Sequence, residues 1–231
     1  MVNLKRGLAV GAARSLAPRV TSMAPGLTSA FVRQALHRAI EGVGPLPGAA
    51  AAAEAQLREQ KGDVDKAVHE LIENHVRYAG VEGFVTNVGG LVTSALVAPA
   101  NITGLALIEC RMIAGIAHLR GYDVDDPRVR NAILVTMLGQ ETVTKMVKKM
   151  QIPGPPMALA TAPEHDPSND DAITTAVATD LISDVIGKRL ATTIGRRVPL
   201  IGGAVGAVAD GYDTWKVGRY ADRELLPRAA R

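Results

Sequence analysis

The side chains able to ligate a metal or move a proton fall at a few places along the chain, and spacing disposes of most of them. His69-Glu70 with His75 suggests the zinc-protease helix, in which two histidines stand four apart and project from one face. Here they are six apart, about 240° around a helix, so they cannot hold one ion from it. Asp123 and Asp125 begin like a calcium loop, yet Pro127 and Arg128 occupy the places of an oxygen ligand and the turn glycine. Helix capping accounts for these acids better. Cys110 and His118 do not make a nucleophile and base, because eight residues of helix separate them by about 12 Å. Asp180, Asp184, Asp210 and Asp213 have no metal-ligand spacing, and Asp184 with Lys188 is an ordinary i,i+4 pair. There is no Gly-x-Ser-x-Gly elbow and no phosphate-cradling Gly-x-x-x-x-Gly-Lys loop. No metal and no cofactor is expected.

Two features survive. The series Ile102, Leu105, Ala106, Glu109, Met112, Ile113, Ile116 places Glu109 within an apolar helical stripe, where a carboxylate must be paired, hydrogen-bonded or protonated. Arg111, two residues on, points about 200° away and cannot be its partner. A cation from another helix, such as Arg196 or Arg197, would neutralise Glu109; the alternative is a ligand-contacting or proton-handling role. The second feature is the last helix. Gly203, Gly206, Ala207, Asp210 and Thr214 line one face, and Ile201, Ala204, Val205, Val208, Tyr212 and Trp215 line the other. Small residues allow another backbone to approach closely. The ligand-contacting candidates are therefore Glu109, Arg111, His118 and Asp210.

The elements that position these residues are helices throughout. Leu27, Phe31, Val32, Ala35, Leu36, Ala39 and Ile40 recur at helical spacing opposite Arg33 and Arg38, an amphipathic basic helix suited to its own core or to a membrane interface. Gly42 to Gly48, with Pro45 and Pro47, reads as a linker. A helix opens at the N-cap Asp63. Residues 83–108 carry no charge, long enough to span a bilayer, but Pro99 and Asn101 interrupt them. A buried hairpin of helices over about 82–97 and 101–119 is expected, with a membrane-inserted hairpin as the alternative. Gly121 stops the second helix, Asp126-Pro127 starts the next, and a short helix ends among Lys145, Lys148 and Lys149. Residues 151–171 hold five of the thirteen prolines and read as a long exposed loop. Helices over about 171–195 and from after Pro199 to about Leu225 complete the chain. The expected fold is all-α: a compact multi-helix bundle with a buried Gly/Ala-rich hairpin, divided into a basic arm (1–48) and a helical domain (49–231).

Composition limits the function classes. A chain of 231 residues, 47% apolar and 21% charged, can bury a sizeable core and is neither disordered nor collagenous. One cysteine permits no internal disulfide, which suits a reducing compartment. Residues 1–40 carry Lys5, Arg6, Arg14, Arg19, Arg33 and Arg38 and no acid; the next sixty hold eight acids and four bases. The basic arm reads as a membrane-contacting segment through Arg14, Arg19, Arg33 and Arg38, or as a targeting segment. Nucleic acid is not expected, since bases are scattered and only seven aromatics are available to stack.

Glu82-Gly83-Phe84, Gly89-Gly90-Leu91, Pro99-Ala100-Asn101, Arg111, the tract Ala117-His118-Leu119-Arg120-Gly121-Tyr122-Asp123-Val124-Asp125-Asp126, Val198-Pro199-Leu200-Ile201-Gly202-Gly203 and Gly218-Arg219-Tyr220-Ala221 together resemble the EcsC family of bacterial proteins. The likeness covers about residues 65 to 225, with Ala117 to Asp126 its most specific part. It implies an α-helical protein, historically named beside an ABC transporter system, and supplies no catalytic residues. Arginine outnumbering lysine, 18 to 8, suits a GC-rich bacterium of actinobacterial type. The expected function is non-enzymatic binding of lipid or another apolar ligand at the cytoplasmic membrane face, peripheral to the membrane. A docking module for a membrane transporter subunit is the first alternative and a lipid-acting enzyme the second; homo-oligomerisation stays open.

Overall fold

The computed structural model describes residues 25–44, 46–80, 100–195 and 202–228. They form helices α1 (Pro25–Glu41), α2 (Ala49–Glu59), α3 (Val64–Gly80), α4 (Ala100–Leu119), α5 (Pro127–Met137), α6 (Gly139–Lys148), α7 (Pro156–Ala160), α8 (Ser168–Gly195) and α9 (Gly202–Glu224). The fold is all-α, and among the described residues one small pairing accompanies the helices: strands β1 (Gly42–Val43) and β2 (Leu46–Pro47) run antiparallel, Gly42 opposite Pro47 and Val43 opposite Leu46. The Gly/Pro stretch expected to be a linker thus carries a strand pairing between α1 and α2.

Helix α4 is the axis. It is apolar around its circumference and buried from Gly104 to Ala117, apart from half-buried Leu105, with α1, α2, α3, α5 and α9 packed around it. A helix apolar on all sides satisfies its backbone internally and can be enclosed completely. It begins directly after Pro99 and stops at Gly121 (φ +84). The Gly121 N–H donates to the His118 carbonyl at 2.9 Å and the Tyr122 N–H to the Ala117 carbonyl at 3.0 Å, the pair of bonds that ends a helix through a left-handed residue, which glycine adopts without strain. The first helix of the expected hairpin lies outside the described residues. Among those described, no helix is long and apolar enough to cross a membrane.

Other boundaries follow from local chemistry. Asp63 Oδ1 accepts from the Lys66 N–H at 3.1 Å at the start of α3, and Asp126 Oδ1 from the Arg128 N–H at 2.9 Å at the start of α5, with Pro127 in the first turn. Helix α8 begins at Ser168, ahead of the expected Asp171, because Asp166 Oδ1 accepts from the Ser168 N–H at 3.0 Å. The proline-rich segment departs further from expectation. Rather than an exposed loop over 151–171, it carries α7, buries Ile152, Pro156 and Ala160, and packs on α5. Prolines fix φ without preventing burial, and Pro156 at a helix start forfeits no hydrogen bond.

Helix α1 belongs to the core: Val32, Ala35, Leu36, Ala39 and Ile40 are buried against α4 and α8. Arg33 stays on the surface, 3.2 Å from Asp171 of α8.

Helices α3 and α9 run antiparallel, Val76 meeting Gly211 and Ile72 meeting Gly218. A Cβ at Gly218 would lie 2.9 Å from Ile72 Cγ2 and 3.1 Å from Met112 Sδ, whereas one at Gly211 would meet Val76 at an ordinary 3.6 Å. Ile72 and Met112 are sealed in the core and cannot retreat. We predict that Gly218→Ala lowers stability by about 1–3 kcal/mol through overpacking, while Gly211→Ala is neutral or stabilises by up to about 1 kcal/mol through helix propensity. Urea unfolding of the two variants measures the contrast.

Candidate functional site

The side chains best placed to meet a ligand lie where α3 and α4 face each other. Gly115 lets the two helices close, since its Cβ position is 2.8 Å from Leu71 Cδ2. One turn before Gly115 is Arg111, and one turn after Leu71 is His75. The antiparallel packing therefore brings these two polar residues together inside an apolar interface. His75 retains 2% of its surface and Arg111 retains 8%. The Tyr78 ring meets the His75 ring edge to face, with centroids 5.8 Å apart, and lies within electrostatic range of the Arg111 guanidinium.

The hydrogen bonding here is incomplete. His75 Nδ1 lies 2.7 Å from the Leu71 carbonyl; a carbonyl only accepts, so Nδ1 carries the proton and Nε2 of the neutral ring is an acceptor. That Nε2 has no hydrogen-bond partner, and neither does Arg111 Nε. No acid among the described residues forms an ion pair with Arg111. Burial, opposed in part by the Leu71 hydrogen bond and reinforced by the Arg111 charge, pushes the His75 pKa down to about 4. Burial also lowers that of Arg111.

Glu109 is buried as expected, on the side of α4 that meets α9, where its Oε1 lies 3.4 Å from the Thr214 hydroxyl. Arg196 and Arg197, the suggested partners, lie outside the described residues. Asp210 falls within α9, but its side chain is outside the described part; Arg14 and Arg19 are likewise outside. His118 is separate from Arg111: its Nε2 sits 2.8 Å from Glu54 of α2, half-exposed at the end of α4. The structure thus brings neither Glu109 nor His118 to Arg111. Cys110 is sealed against Met137 of α5, Sγ to Sδ 3.1 Å, and burial together with the Glu109 charge raises its pKa far from the thiolate range. Among the described residues no three His, Cys, Asp or Glu side chains gather to hold a metal.

Sequence spacing rejects His75 as a zinc ligand and counts it within the helical pattern of Val64 to Val76 without giving it a ligand role, and it does not single out Tyr78. The clue was the series Val64, Ala67, Val68, Leu71, Ile72, His75, Val76, which places an imidazole on the buried stripe. What that stripe would face could not be read from spacing.

The tract from Ala117 to Asp126 does structural work. Arg120 Nη1 and Nη2 each lie 2.7 Å from a carboxylate, Asp65 of α3 and Asp222 of α9; these bonds outweigh burial and raise its pKa. The Arg120 carbonyl accepts from the Arg228 N–H at 2.9 Å. The Tyr122 hydroxyl reaches the Leu226 carbonyl at 2.8 Å, under the Arg228 guanidinium. Asp123 Oδ1 accepts from the Asp125 N–H at 3.0 Å, so these acids cap and turn the chain as expected.

With this geometry in hand, comparison with known proteins places the chain by descent: it belongs to the EcsC protein family, whose profile matches residues 12–228. The match begins well before residue 65 and takes in α1, in keeping with that helix's place in the core. No curated protein and no solved structure matches the chain significantly.

The depressed His75 pKa has a stability consequence. The unfolded chain takes up a proton near pH 6.5, whereas the folded protein resists until about pH 4, so this contribution is full above pH 6.5 and is lost as pH falls towards 4. We predict a loss of about 3 kcal/mol over that window, absent in His75→Phe. Urea titrations of both proteins at pH 7, 5.5 and 4 measure the difference between their slopes.

Proposed function

We propose that this protein is a non-enzymatic helical binder of lipid, or of another apolar ligand, acting at the cytoplasmic face of a membrane. The observation that carries the reading is a surface feature of α9. Tyr212 is 59% exposed and Trp215 39%, their rings stack with centroids 6.0 Å apart, and Lys216 Nζ lies 5.0 Å from the Tyr212 ring centre. Two large amphipathic rings kept in water beside a lysine suit the boundary between head groups and acyl chains, where Trp, Tyr and Lys anchor proteins. The acid-free, basic first forty residues favour the same anionic surface.

Docking onto a membrane transporter is the second reading, because exposed Tyr and Trp also mark protein interfaces. The two differ in what the rings require: a bilayer should suffice for the first, while the second needs a protein partner.

Vesicle sedimentation with the full chain tests the proposal. It should partition onto anionic vesicles, more weakly at high salt and on neutral ones. Tyr212→Ser with Trp215→Ser should reduce binding at least tenfold without unfolding the protein. Arg14→Gln with Arg19→Gln should weaken it about thirtyfold at low salt, taking about 1 kcal/mol per charge. Absence of vesicle binding, or binding indifferent to both pairs, would refute the membrane reading.

A further inference from the structure

The lipid-binding reading leaves open what the chain would recognise in its ligand, and the α3–α4 interface offers an answer. Nearly all polar groups in protein interiors find partners. A buried cation without a counter-charge is costly, and no acid among the described residues supplies one to Arg111. Here the cation stands beside a second unsatisfied group of opposite character: Arg111 can only donate, and the Nε2 of neutral His75 can only accept. The neighbouring positions are apolar and buried: Leu71 stands one turn before His75 on α3, and Ile108 one turn before Arg111 on α4. Glu109 cannot serve, since it faces α9 and Thr214.

A guest that completes both bonds must carry an oxyanion for the guanidinium and a hydroxyl for the imidazole. A carboxylate has the first without the second, and an alcohol the second without the first. The monoanion of a phosphate monoester has both on one phosphorus, and an attached apolar chain suits the walls. We propose that Arg111 and His75, with Tyr78 at their edge, form a receptor for the phosphomonoester head of an amphiphile.

The inference rests on the lipid-binding reading but fails separately from it. Vesicle binding unaffected by Arg111 would leave that reading standing without this receptor; binding of a soluble amphiphile through Arg111 without vesicle binding would leave the receptor standing alone. The probes are octyl phosphate, octanoate, octanol and inorganic phosphate, titrated calorimetrically into the full chain at pH 6, where His75 is neutral. Octyl phosphate should bind at least tenfold more tightly than each of the others. Arg111→Met should lose at least tenfold of that affinity while leaving octanol unchanged, and His75→Phe should remove the preference for octyl phosphate over octanoate.

Stability supplies a second readout. Because Arg111→Met removes a buried charge that no acid among the described residues pairs with, the unliganded variant should melt no lower than the parent. A variant that fails to fold or melts markedly lower would mean that an internal carboxylate already pairs with Arg111, and would overturn the proposal. So would failure of all four probes to bind, or octanoate matching octyl phosphate. Inorganic phosphate binding as tightly as octyl phosphate would overturn the amphiphile and leave a site for free anion.

Discussion

Enclosure of α4 governs the rest of this structure. Among the described residues five helices pack around it, so from Gly104 to Ala117 a polar side chain on it must be answered by another group or by a guest. Thr136 on α5 and Thr174 on α8 solve the same problem locally, each hydroxyl donating to a carbonyl four residues back at 2.7 Å. Arg111 has no such recourse, because a guanidinium cannot bond to its own helix backbone in this way and does not shed its proton. Enclosure thereby turns one side chain into the most informative in the molecule.

One end of the bundle is tied by a clamp. Arg120 follows directly on α4 and grips α3 through Asp65 and α9 through Asp222, so three helices are registered by one side chain. Gly121 turns the chain there, and the Arg228 backbone returns to close it. The tract from Ala117 to Asp126 thus ties α3, α4 and α9 together at this end, and the register of α3 against α4 is what places His75 opposite Arg111.

How much of this was legible in the sequence divides by range. Asp63, Gly121 and Asp126 could be read because a cap depends on a few neighbouring residues, and the buried stripe of α3 because periodicity records which face meets a core. The all-α class followed from the same periodicity. Gly218 was legible only as part of a resemblance: its reason is Ile72 and Met112, distant in sequence. The meeting of His75 with Arg111 was hidden for the same cause, since two helices can each show a polar residue on an apolar stripe without declaring that they share a turn. The segment 151–171 misled because proline content was equated with exposure, although Ile152 and Ala160 supply the apolar contacts that bury it.

The central claim is that the unsatisfied atoms of Arg111 and His75 await one phosphate-bearing guest. The most direct measurement is an experimentally determined structure of the full chain with octyl phosphate. The account predicts phosphate oxygens within about 3 Å of the Arg111 guanidinium and of His75 Nε2, with the alkyl chain between α3 and α4. A phosphate bound elsewhere, or Arg111 paired with a protein carboxylate such as Glu82 while the ligand is present, would contradict it.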